Sequence, residues 1–228
     1  MTGIFQFEQK ITESRLLFRV FISIFTIAVL GCNNAPKEKS NSNVTSPKDT
    51  STIDDFAILK QKEQASSEKL PGNLGELIRT ISFSVRTDDK TNFADGLVPW
   101  ASIEKPEVDI PNLVDGNVIV IPEHEVTVLI DYPLTNEYRF NLVSKTGFTK
   151  VQLLNEISKG YYKLYHEEEE TATIKTIPAG ERTKMYNRNQ TDGKYGVWGH
   201  DIADLVLSEI SVYKNANGKL ILALNIQS

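Results

Sequence analysis

From Glu125 to Ser144 the chain alternates. Val126, Val128 and Ile130 share one face, and after Pro133-Leu134-Thr135-Asn136 the residues Tyr138, Phe140 and Leu142 share another, set against Arg139 and Asn141. A period of two predicts paired strands, and the proline-led tetrapeptide predicts the turn that joins them into a hairpin with one dry face. The period then changes. Val151, Leu154, Ile157, Tyr161, Leu164 and Tyr165 recur every three or four residues, and Thr149 with Gln152 has the spacing of a capping box. A long helix is expected from Thr149, its apolar stripe covering the hairpin. Gly160 in its middle costs about 1 kcal/mol relative to Ala, a cost that close approach to a strand or to Trp100 would offset. Leu205–Lys214 reads as a strand, Asn215-Ala216-Asn217-Gly218 as a type I′ turn, and Leu220, Leu222, Leu224 and Ile226 alternate along a terminal strand. Asn117–Ile121 is a short apolar strand ahead of them. The expected class is α+β: a single domain over 74–228, with an antiparallel sheet from two hairpins packed on one long helix.

Upstream the pattern is less regular. Ile53, Phe56 and Leu59 are spaced by three between Thr52 and Lys69, with Asp54 and Asp55 at the positive end of the dipole, so a helix followed by a linker is expected over 52–73. Leu74, Leu77, Ile78 and Ile81 keep helical spacing, whereas Ile81, Phe83 and Val85 alternate, so a helix is expected to hand over to a strand near Ile81. Asn92–Asp115 is irregular, broken by Pro99, Pro106 and Pro111, with Trp100 expected as a lid on the core. The order hairpin, helix, hairpin resembles a β-grasp arrangement in its elements alone.

The first 51 residues belong to a different class. Lys10, Arg15 and Arg19 precede the uncharged run Val20–Leu30, the n-region and h-region pattern of a secretory signal. The run is too short for the ~20 apolar residues that a membrane-spanning helix requires. It leads into Val29-Leu30-Gly31-Cys32, which resembles the lipobox of bacterial lipoproteins: an aliphatic residue three before the cysteine and a small residue directly before it. The resemblance implies removal of residues 1–31, lipidation of Cys32 with diacylglycerol and N-acyl groups, and membrane attachment through those chains. Asn33 in place of an inner-membrane retention Asp implies outer-membrane sorting, and the lack of an acidic cluster after the cysteine implies the periplasmic face. Residues 32–51, with two prolines and no apolar period, are expected to be a disordered tether; its reach is on the order of 25 Å.

Charge and cysteine usage narrow the partners. The chain carries −5 overall, and the segment expected to be removed is slightly basic, so the chain from Cys32 onward is more acidic still. No concentrated Lys/Arg face is present to displace phosphate counterions, and nucleic acid is not an expected partner. With one cysteine a disulfide framework is impossible, and an acylated Cys32 leaves no nucleophilic thiol.

Candidate chemistry concentrates in the long connection Glu167–Gly199 and just beyond it. Long connections in compact domains tend to be functional, and Tyr195, Val197 and Trp198 between glycines suggest a loop pinned to the body by Trp198. Arg188, Asn189, Lys194, Tyr195 and Trp198 are the candidate binding residues. His200, Asp201 and Asp204 form the sharpest cluster, with two readings. They could supply a divalent-metal or acid–base site, since imidazole and carboxylate suit transition ions; or Asp201 caps a single helical turn that contains Asp204, with His200 a satisfied loop residue. His124 and His166 are the other histidines. Glu167–Glu170 is expected to be a solvated helix end that frays, or else a weak cation patch. No phosphate loop, nucleophile elbow or cysteine metal pattern occurs, and no cofactor is expected. These features predict a lipid-anchored, non-catalytic binding or interaction module of the bacterial envelope, whose partner is an envelope protein or small ligand. A metal-dependent envelope hydrolase using His200, Asp201 and Asp204 is the alternative.

Overall fold

A computed structural model describes residues 51–68, 74–182 and 190–228, without the side chains of 51–56 and 67–68. The expected signal segment, Cys32, the tether and the linker residues 69–73 lie outside the described residues.

The hairpin read from alternation is present as β6 (Glu125–Ile130) and β7 (Tyr138–Val143), and the terminal one as β9 (Val206–Lys214) and β10 (Leu220–Gln227). Between them runs α3 (Lys150–Thr171), opened by the capping box: the Gln152 amide donates to the Thr149 hydroxyl, and the Thr149 amide donates to the Gln152 side chain. β1 (Glu76–Ser82) completes a sheet of order β1-β9-β10-β6-β7, with the short β4 (Ala101–Ser102) also on β9. Four shorter elements lie outside that sheet. β2 (Val85–Arg86) pairs with β3 (Leu97–Val98), and β5 (Ile119–Ile121) pairs with β8 (Phe148–Thr149). The remaining helices are α1 (Ser51–Glu68) and the single-turn α2 (Pro106–Asp109).

The class is α+β as expected, but the sheet is mixed rather than antiparallel. β10 pairs with β6 in parallel, Leu220 opposite Val126 and Leu222 opposite Val128, while β6–β7, β9–β10 and β1–β9 are antiparallel. Both hairpins must bring their apolar faces under one helix, and the α3 crossover delivers the second with its last strand beside the first. Val126, Val128, Ile130, Leu207, Ile210, Val212 and Leu222 are buried on that face against Leu153, Leu154, Ile157, Tyr161 and Leu164 of α3. Each such aliphatic side chain contributes about 1.5–3 kcal/mol by leaving water. Gly160 lies where its offset was expected. A methyl group there would sit 2.8 Å from the Phe140 ring of β7, so the helix rests directly on the strand.

Three expectations fail for definable reasons. Leu74–Ile81 is not helical. From Glu76 onward it is the strand β1, and a register shift between Leu77 and Arg79 breaks the strand's alternation, which imitates helical spacing. Trp100 is not a core lid: Ala101 and Ile103 point inward, so alternation turns Trp100 outward, edge-on to Phe93 at 6.0 Å. The β9–β10 turn is not type I′, which needs two successive positive φ angles. Only Gly218 has one, at 77°, closing a five-residue loop in which Asn215 accepts from Gly218 and donates to Lys219.

Candidate functional site

The connection after α3 is organised by a carboxylate. Glu168 has no exposed surface, although it lies in the acidic run expected to fray. It accepts from the Thr191 hydroxyl at 2.6 Å and from the backbone amides of Gly193, Tyr195 and Gly196 at 2.9, 2.7 and 3.1 Å. Burial pushes its pKa up, but these four donors outweigh burial and hold it below the usual carboxylate range. The helix therefore continues to Thr171 because the loop brings amides to its end. This corrects the expectation of a fraying, solvated terminus. Extending the α3 stripe would have found it, since three residues beyond Tyr165 and four beyond Leu164 is position 168.

Neighbouring residues repeat the theme. Glu167 accepts from the Tyr195 hydroxyl at 2.6 Å and from Lys194 Nζ at 2.9 Å, and these bonds lower its pKa. Asp192 accepts from the amides of Thr173 and Ile174 at 2.8 and 2.7 Å, fastening the start of the connection to its end. Tyr195 passes its carbonyl to the amides of Thr135 and Asn136 in the β6–β7 turn, and Trp198 donates its amide to Pro133 at 3.2 Å. Tyr195, Val197 and Trp198 are all buried, so the aromatic pinning read from the sequence is present. Of the candidate binding residues, Lys194 is an exposed strut between Glu167 and the Tyr195 ring, while Tyr195 and Trp198 are packed into the body. Arg188 and Asn189 lie outside the described residues.

His200, Asp201 and Asp204 take separate partners. Asp201 heads a 3-10 turn, Ile202–Asp204, in a reciprocal box with Asp204, whose carboxylate accepts the Asp201 amide at 2.9 Å; Asp201 also binds the Arg182 guanidinium through both oxygens. That arrangement is the capping alternative of the two sequence readings. His200 turns to α1, where its Nε2 lies 2.6 Å from Glu63 Oε1. His124 sits against the Ser144 carbonyl and His166 against Glu170. Among the described residues no group of three or more His, Cys, Asp or Glu is arranged to hold a metal ion.

The His200–Glu63 contact belongs to a cluster that sequence reasoning missed. Tyr132, in the turn two residues after β6, donates to the Glu63 carboxylate, 2.9 and 3.1 Å from its two oxygens, and lies 2.8 Å from the Ser228 hydroxyl. Burial raises the Tyr132 phenol well above its ordinary pKa, helped by the charges of Glu63 and Asp204, with the Ser228 bond opposing. Glu63 moves the other way: burial would raise its pKa, but the bonds to His200 and Tyr132 lower it. The rings of Tyr132, Trp198 and His200 meet with centroids 5.3–5.9 Å apart, and Lys62 Nζ lies 5.9 Å above Trp198. Gly199, beside them, admits Leu59 so closely that a methyl group there would stand 2.5 Å from its Cδ1. Chemically this is an aromatic floor with two polar tips on one carboxylate and a cation beside it. Its members come from sequence positions 62 to 228, and nothing local links them.

No family model, no curated protein and no solved structure matches the chain.

Proposed function

We propose that this chain is a lipid-anchored binding module of the bacterial envelope, held through acyl groups on Cys32 at the outer membrane and facing the periplasm. The lipobox-like Val29-Leu30-Gly31-Cys32 after an apolar run carries the membrane part of that reading. One structural observation carries the rest. Described polar side chains in and just beyond the long connection are engaged in holding it: Glu168 by four donors, Asp201 by Arg182 and its own turn, His200 by Glu63. A pinned loop with an aromatic patch at its end fits recognition, whether of a small ligand or of an envelope protein as in immunity or inhibitor proteins.

Two measurements test this. Intact-mass analysis of protein extracted from membranes is expected to show loss of residues 1–31 and an acylated Cys32; an unmodified cysteine in a soluble protein overturns the anchor. Crosslinking in intact cells is expected to recover one specific envelope partner, and recovery of bulk proteins only overturns the module. The metal-hydrolase alternative makes its own demand: a divalent-ion-dependent rise in Tm that disappears in His200→Ala, which an ion at about 100 times its Kd would make roughly 2.7 kcal/mol strong.

A further inference from the structure

α1 is attached differently from every other long element. It pairs with no strand of the sheet, and among its described side chains, at 57–66, none is buried and none belongs to the core. Its contacts with the body include the Glu63 carboxylate on His200 and Tyr132, Lys62 over Trp198, and Leu59 against Gly199. In proteins most helical stability comes from packing of an apolar face, and along 57–66 no α1 side chain is buried. It is the element most easily released. The surface beneath it is held by contacts that do not involve α1: Trp198 is tied to Pro133, the Tyr165 hydroxyl donates to the His200 carbonyl at 2.8 Å, and the buried Tyr161 hydroxyl donates to the Tyr132 carbonyl at 2.8 Å.

We propose that Tyr132, Trp198 and His200 form a recognition site for a carboxylate side chain on a protein segment, and that Glu63 of α1 occupies this site in cis. Two tips, an imidazole nitrogen and a phenol hydroxyl, converge on one carboxylate. The face of Trp198 beside them accepts a cation, the place Lys62 takes. A partner segment presenting an acidic residue next to a basic one reproduces those contacts and must displace α1 to do so. Affinity for such a partner is therefore reduced by the fraction of molecules in which α1 is docked.

This inference rests on the reading of the chain as a binding module, and its test addresses the site alone. The probe is a fluorescent synthetic peptide of residues 51–68, titrated into the full chain and into the full chain carrying Lys62→Ala and Glu63→Ala. The peptide is expected to bind the double variant at least tenfold more tightly than the parent. Adding His200→Ala to the variant, or Glu63→Gln to the peptide, is expected to abolish binding. Equal binding to parent and variant, no binding to a variant whose near-ultraviolet circular dichroism is native, or indifference to His200→Ala overturns the proposal. Hydrogen exchange on the unaltered full chain is a second test that needs no variant: α1 amides are expected to exchange at least tenfold faster than those of Leu153–Leu164, and equal protection overturns the idea of a releasable helix. If crosslinking captures a partner while the peptide fails to bind, the module reading stands and this site does not.

Discussion

At the scale of single residues, Glu168 decides more than any other polar group described. A carboxylate with no exposed surface at a helix C-terminus is opposed by the dipole and by desolvation, and it persists because four donors converge on it. Glu168→Gln keeps the volume but exchanges an acceptor-only group for one that turns an NH2 toward backbone amides. The expected loss is about 2–4 kcal/mol in urea unfolding, from weakened charge-assisted bonds and stranded amides; a loss below about 1 kcal/mol would mean that the loop does not depend on it. Thr191 shows why this is hard to read from sequence. It is fully buried and meets Glu168 across 23 positions of sequence, in a stretch whose composition resembles any polar turn. His200 is conspicuous by type, yet its partner Glu63 is 137 positions away. Residue type marks the neighbourhood, and only the fold supplies the pairing.

Elements are far more legible where local rules and burial agree. The capping box at Thr149, the α3 stripe and the strands around Pro133 are all readable from spacing, because each is fixed by contacts within a few residues or by one alternating face. Thr149→Ala is accordingly expected to cost about 1 kcal/mol, the usual worth of an N-cap, read as a shift in the unfolding midpoint. β1 escapes such a reading because a bulge shifts the phase of alternation, and the parallel β6–β10 junction has no local signature at all. Gly160 offers a sharper test of element packing. Gly160→Ala favours the helix by about 1 kcal/mol, but overpacking a core contact costs about 1–3 kcal/mol. The new methyl group meets the half-buried Phe140 ring, itself stacked on Tyr138 with centroids 5.5 Å apart, so the ring cannot move freely. A net destabilisation is expected in the parent. In a Phe140→Ala background the same change is expected to become stabilising by about 1 kcal/mol as the propensity gain emerges. Loss of the same size in both backgrounds would place the contact elsewhere.

For the molecule as a whole, three carboxylates tie segments that lie outside the main sheet. Glu63 ties α1 to the aromatic cluster, and Glu167 and Glu168 tie the long connection to the end of α3. Each has a folded pKa lowered from its ordinary value, so each binds its proton less readily folded than unfolded. The stability they contribute is fully present above the unfolded value of about 4.3 and is lost as pH falls through the lower folded values. The urea midpoint is therefore expected to stay level from about pH 7 to pH 5 with respect to these groups and to fall below about pH 4. Glu168→Gln removes one of the three titrating groups, so its stability, lower at neutral pH, is expected to fall less steeply with acid, and the two profiles should converge as pH falls through the lowered folded value of Glu168. Parallel profiles would show that Glu168 does not titrate with folding, and the buried carboxylate would then not be what holds the loop in place.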